Sequence, residues 1–193
     1  DVAINHFTNA ATIKPSDSNT YTTLAKCYLD KGDKVAAKDA VITAVEKNPE
    51  SFDANFSAGQ ILSRTGLNSK QVLPYYKKAV EIEPSNSKVL RELAGTYYDL
   101  GEKEESVTIF KNAISNESDK IVKADLYFNL GVIYSQMCDY EESEKAFDEA
   151  FFLNEEDFEA ALGMARSYEG LGDNYLNGGE GCGGAFEKDS NKA

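Results

Sequence analysis

Three kinds of residue in this chain could do chemistry: one histidine, three cysteines and a crowd of carboxylates. His6 is the only histidine. A general base needs a nucleophile and an orienting group within hydrogen-bond reach, and no Ser or Cys stands at a readable spacing from it. Metal sites draw their cysteines from close pairs, usually with histidine. Cys27, Cys138 and Cys182 are too far apart in sequence for that, so reduced, structurally incidental thiols are expected, with Cys182 the exposed one. Residues 139–159 hold ten acidic side chains and a single base, Lys145. That density reads as a solvated helix face, or as a docking strip for a basic partner. Gly178-Gly179-Glu180-Gly181 follows a helical stretch rather than a strand and lacks the Lys-Ser/Thr of a phosphate loop. No catalytic residue, metal or cofactor is expected.

Composition narrows the classes further. The chain has 193 residues, 41% of them hydrophobic, and a net charge of −13. Nucleic-acid binding needs a basic footprint, so no nucleic-acid partner is expected. No apolar run reaches the 18 residues of a spanning helix, so no membrane insertion is expected. A reducing, cytoplasmic setting suits the thiols best, and a periplasmic one is compatible with them.

The elements that position all these residues repeat. A first-helix figure, a large residue, a small one and an aromatic or Leu one turn on, occurs five times. It is Leu24-Ala25 with Tyr28, Ala58-Gly59 with Leu62, Leu93-Ala94 with Tyr97, Leu130-Gly131 with Tyr134, and Met164-Ala165 with Tyr168. Four residues later comes a turn residue: Gly32, Gly66, Gly101, Cys138 and Gly172. A second-helix stripe follows at spacings of four, three and five: Ala37, Val41, Ala44, Pro49, then Val72, Tyr76, Ala79, Pro84. Ser106, Phe110, Ala113, Ser118 and Ser143, Phe147, Ala150, Glu155 keep the stripe and lose the proline. Small residues let helices approach closely, and large ones fill the space between neighbours. One such hairpin cannot bury its apolar face alone, so hairpins must stack.

This figure resembles the tetratricopeptide repeat, Leu-Gly-x-x-Tyr followed by Ala, Phe and Pro at set distances. The resemblance covers residues 1 to about 175. It departs at the first aromatic slot, where Tyr21, Asn55, Leu90 and Tyr127 stand and no Trp occurs. It implies an all-α, right-handed superhelical solenoid of ten helices in antiparallel pairs, without sheet. It also implies a non-enzymatic scaffold that binds a protein or peptide.

Taken in order, residues 1–15 form a half repeat, with Ala3, Phe7, Ala10 and Pro15 as its stripe. Ser16 and Ser18 offer N-cap oxygens for the next helix. Full repeats follow at about 18–51, 52–85, 87–119 and 124–156, and the first helix of another at 157–172. Pro74 is expected in the first turn of its helix, where proline is tolerated. Residues 176–193 are expected to be a flexible Gly-rich loop, or an insertion in the fifth repeat's turn. The chain opens where a second helix opens, and Lys188–Ala193 resembles the lead-in to another. A fragment of a longer array is therefore the expectation.

Function is expected on the first helices, on the side opposite their packed Leu and Tyr. Helical spacing selects Asn19, Thr22, Lys26 and Leu29, then Asp53, Phe56, Gln60 and Ser63. It goes on to Lys88, Arg91, Gly95 and Tyr98, then Asp125, Phe128, Val132 and Ser135. The peptide-binding set is Lys26, Phe56, Gln60, Lys88, Arg91, Tyr98 and Phe128, with Gly95 leaving room for a ligand backbone. Aromatic and Arg side chains are frequent hot spots. An extended peptide with acidic and apolar residues fits this set. Some proteins of the resembled family clamp a chaperone's terminal carboxylate with Lys, Asn, Asn, Lys and Arg. Here Thr22, Lys26, Ser57, Lys88 and Glu92 match those positions, or Phe56, Gln60, Glu92, Asp125 and Asn129 one repeat on, and neither set makes the clamp. Two other readings stand beside the scaffold: a self-assembling homo-oligomer joined through open ends or a convex face, and the substrate-binding or regulatory arm of a larger enzyme.

Overall fold

A computed structural model describes residues 2–154, 161–163, 165–167 and 169–170. Among these residues there is helix and no strand. Nine helices run in order: α1 Val2–Ile13, α2 Ser18–Lys31, α3 Lys34–Lys47, α4 Phe52–Thr65, α5 Ser69–Ile82, α6 Ser87–Asp99, α7 Lys103–Asn116, α8 Lys120–Gln136 and α9 Tyr140–Leu153. Residues 161–163, 165–167 and 169–170 are helical as well. Gly172, the Gly-rich segment 176–193 and Cys182 lie outside the described residues.

The helices start and stop where local chemistry tells them to. Asp33, Ser51, Asn68, Asn86 and Asp119 each accept a backbone N–H of the first turn that follows. At Asn68 the cap is reciprocal: its side chain takes the Gln71 N–H at 3.1 Å, and the Gln71 amide oxygen takes the Asn68 N–H at 3.2 Å. The turns that follow α2, α4, α6 and α8 hold Gly32, Gly66, Gly101 and Cys138, all with positive φ between 64° and 103°. Glycine reaches that region without a Cβ penalty, and Cys138 does so against its sterics.

Two local expectations are corrected. Ser16 and Ser18 do not cap α2: the N-cap position is Asp17, without a side-chain cap bond. Ser18 is buried and donates instead to the Ala44 carbonyl at 2.8 Å, tying α2 to α3. Pro74 is not in the first turn of α5 but one turn further in, since the helix already begins at Ser69. It is exposed there, so its ring crowds no neighbouring helix, although it leaves the Lys70 carbonyl without a helical N–H.

The chain divides into two units, Asp1–Glu102 and Lys103–Ala193. In the first unit the stripe residues Ala37, Val41, Ala44, Val72, Tyr76 and Ala79 are all at most 3% exposed, beside Ala25, Ala58 and Leu62. Asn55, in the slot usually aromatic, is buried because its amide donates to the carbonyls of Pro49 and Ser51, both at 2.8 Å. In the second unit Phe110, Ala113, Phe147, Ala150, Leu126 and Leu130 form the core. Ser143 is wholly buried there; its hydroxyl donates to the Gly131 carbonyl at 2.8 Å and lies 2.9 Å from that of Ser167.

The thiols are not all reduced. Cys27 is a free thiol, but Cys138 is disulfide-bonded. Whether two sulfurs meet is decided by approach in space, which sequence separation does not report.

Candidate functional site: a cleft between two first helices

In the first unit a cleft of about 190 Å3 lies over α5, between α4 and α6. Six residues of α6 line it, Thr96 and Asp99 among them. Gly95 lies between Arg91 and Tyr98, one turn to either side, and a Cβ placed on Gly95 would have no heavy atom within 4 Å. Glu92 stands beside Arg91. The opposite wall is Ser63 of α4, and the floor is Val72 and Tyr76 of α5. At the open end Ser69 donates to the Asp99 carboxylate at 3.1 Å, fastening the start of α5 to the end of α6.

The cleft carries paired charge rather than a reactive group. Tyr76 is buried, and the Glu92 carboxylate acts on its phenol. Burial first, then the Glu92 carboxylate, pushes its phenol well above the usual tyrosine range. The Arg91 guanidinium lies 3.6 Å from the same carboxylate and remains partly exposed. A small-molecule site usually has roughly 300–1,000 Å3. This cleft is smaller and open, the size of an amino-acid side chain.

The predicted binding residues fall into separate settings. Arg91 and Tyr98 share the cleft with Gly95. Phe56 adjoins its floor: it stacks on Phe52 with centroids 5.5 Å apart and meets Tyr76 at 6.3 Å. Gln60 is half-buried on the same helix, while Lys26 on α2 and Lys88 at the start of α6 are exposed. Phe128 belongs to the second unit, edge-on to Phe147 at 5.5 Å. Two groove positions are corrected outright. Thr22 is buried and donates to the Ser18 carbonyl at 3.2 Å. Ser135 is 3% exposed, with no hydrogen-bond partner for its hydroxyl. Neither can meet a ligand on a surface.

Sequence reasoning missed Tyr76 and Glu92 as cleft residues. Tyr76 was visible as a stripe aromatic and read as core; its polar end was the unused signal, because a buried phenol needs a partner. A second cavity was missed altogether. It has a volume of about 410 Å3 and lies among α7, α8 and α9, where Leu130, Tyr127 and Tyr134 meet Lys111, Lys145 and Glu142. Lys111 sits 5.5 Å from the Tyr134 ring centroid, and its hydrogen bond to Tyr134 raises its pKa. Among the described residues no group of three His, Cys, Asp or Glu side chains is placed to hold a metal. No described helix is long and apolar enough to cross a membrane.

Two family models of the tetratricopeptide repeat match, one over residues 22–87 and one over residues 124–157, together just over half of the chain. This chain is a tetratricopeptide-repeat protein. Solved structures agree on the fold. MamA superposes with a TM-score of 0.75 at 20% identity, covering 84% of this chain and 88% of that one. YrrB gives 0.72 at 21% identity, covering 82% and 80%. PilF of Pseudomonas aeruginosa gives 0.66 at 25% identity, covering 86% and 78%. No curated protein matches as a sequence relative. Tetratricopeptide repeats make this a protein-interaction scaffold, and the family is generally non-enzymatic.

Proposed function

We propose that this tetratricopeptide-repeat protein holds an extended peptide against its first helices, with the α4–α5–α6 cleft taking one side chain. The open space at Gly95 carries the reading. A glycine in mid-helix costs helix stability, and here no packed neighbour requires it. The vacancy admits a ligand backbone between Arg91, which can bind carboxylates through two parallel N–H groups, and Tyr98, which offers a flat face. Lys88 and Lys26 are further exposed cations in a chain of net charge −13. The peptide that fits is acidic, with apolar residues for the Phe56 wall. YrrB is described as a tetratricopeptide-repeat protein with an unusual peptide-binding site, which supports peptide recognition on this fold.

The test compares wild type with the double variant Arg91→Glu, Lys88→Glu in selection from a displayed library of unstructured peptides. Wild type should enrich acidic, aromatic-containing sequences. The variant should lose them while its melting temperature stays within a few degrees, because both side chains are at least partly exposed. Equal enrichment by a folded variant removes this cleft from the binding surface.

A further inference from the structure

The cavity of about 410 Å3 among α7, α8 and α9 belongs to the second unit and shares no residue with the cleft of the first. It falls within the roughly 300–1,000 Å3 usual for a small-molecule site. Its apolar lining is buried: Ile114 from α7, Leu130 from α8 and Ala146 from α9 are each at most 7% exposed. Tyr127 and Tyr134 of α8 add aromatic walls. Each of the three helices then contributes one lysine: Lys111, Lys123 and Lys145. Lys111 and Lys145 are exposed and mark the mouth, and Lys123 is half-buried.

The repeat itself does not require these lysines. By the repeat figure, Phe110 matches Val41, Leu130 matches Ala58 and Phe147 matches Tyr76. The places of Lys111, Lys123 and Lys145 are then taken by Ile42, Ser51 and Pro74 in the α3–α4–α5 group, with no cation among them. Lys123 owes its helical position to the length of α8. That helix has 17 residues, against 13 or 14 in α2, α4 and α6. Those three begin at the place of Ala124, so the extra turn of α8 is the one that carries Lys123.

Charge at this cavity runs against that of the chain. The chain has a net charge of −13, yet here three lysines line the same space as two glutamates, Glu142 and Glu149. Glu142 is already bridged to Lys145. Lys111 stands 5.5 Å from the Tyr134 ring centroid, a neutral partner that leaves its charge uncancelled. Lys123 forms no salt bridge among the described residues. The local excess is one positive charge. It suits a single negative charge, and the two glutamates disfavour a dianion such as a phosphate monoester.

We infer that this cavity binds a monocarboxylate on an apolar body, with the body among Ile114, Leu130 and Ala146 and the carboxylate at Lys111 and Lys123. Such a group ends a fatty acid, and it also ends a protein chain whose last residue is apolar. Lysine meets it as a point charge, and the lysine stems can extend the apolar wall while their ammonium groups stay wet. The peptide reading of the first-unit cleft is independent of this site.

Isothermal titration calorimetry of the 193-residue chain with hexanoate, octanoate and decanoate tests the inference. Binding should be saturable, and each added CH2 should tighten it about fourfold. Octan-1-ol, with the same body as octanoate and no charge, should bind about tenfold more weakly. Lys111→Met combined with Lys123→Met keeps an apolar stem at two positions outside the core, so circular dichroism should be unchanged. Octanoate affinity in that variant should fall about tenfold. A further pair of probes identifies the source: acetyl-Gly-Gly-Phe-Leu with a free terminal carboxylate, and the same peptide amidated. A free peptide that binds more tightly than its amide supports a chain terminus as ligand, and fatty acids that bind where the peptide does not support a free amphiphile. Octanol binding as tightly as octanoate overturns the inference. So does an unchanged octanoate affinity in the folded double variant, and so does the absence of saturable binding by every carboxylate tried.

Discussion

Phe147 lies so close over Gly131 that a Cβ on the glycine would stand 2.9 Å from two of the ring carbons. Real Cβ atoms do not tolerate that approach, and the ring has little room to retreat, because Gly163 bounds it on the other side at 2.6 Å by the same measure. Gly131→Leu should therefore destabilise the second unit by about 1–3 kcal/mol or more, the cost of overpacking a close-packed site. Gly131→Ala should cost less and act in the same direction. Urea midpoints read both; a Leu variant as stable as wild type contradicts the packing described.

Gly95 is the opposite case. A Cβ there meets nothing within 4 Å, so Gly95→Ala should stabilise the first unit by about 0.5–1 kcal/mol through helix propensity alone. Gly95→Leu should be equally well folded but should fill the cleft and reduce peptide capture at least tenfold. A Leu variant that captures peptides like wild type would separate the cleft from binding.

Tyr76 makes stability depend on alkaline pH. Its folded pKa is raised above the ordinary 10.0 by burial and by Glu92, so the unfolded chain releases this proton first. The contribution is intact below pH 10 and is lost as pH climbs from there toward the folded value. The loss approaches about 1.4 kcal/mol per pH unit. Chemical denaturation at pH 8 through 11 should show wild type falling more steeply than Tyr76→Phe. Parallel curves for the two proteins would show that Tyr76 titrates normally.

The reciprocal cap of α5 predicts a purely local effect. Asn68→Ala removes the acceptor for the Gln71 N–H and should cost about 1 kcal/mol. Asn68→Gly should cost only a few tenths, because glycine still permits the turn and leaves the N–H groups to water. Thermal melts should rank wild type above Asn68→Gly and Asn68→Ala lowest, and an Asn68→Ala variant as stable as wild type would show that the side-chain bond contributes nothing.

Much of this architecture was legible in the residues alone, because it is written at short range. Gly32, Gly66, Gly101 and Cys138 could be picked out as turn residues, and all four have positive φ. The stripe Val72, Tyr76, Ala79 could be read as core from spacing, since helical periodicity puts the three on one face. Where local rules compete, the reading was less secure. Ser18 looked like a cap by type, but burial against α3 turned its hydroxyl to the Ala44 carbonyl.

What only the tertiary structure decided is which of these side chains meet. Spacing placed Arg91, Gly95 and Tyr98 on one face of α6, but it could not show that Tyr76, from the preceding helix, lines the same cleft as Glu92. Nor could it show that Phe128 is held against Phe147, that Thr22 and Ser135 are buried, or that Cys138 is bonded. A repeat's period follows from backbone geometry and from neighbours three or four residues apart, so the chain states it openly. A cleft or a sulfur bond depends on the rotation and approach of packed helices, and those are set by all the side chains between them at once.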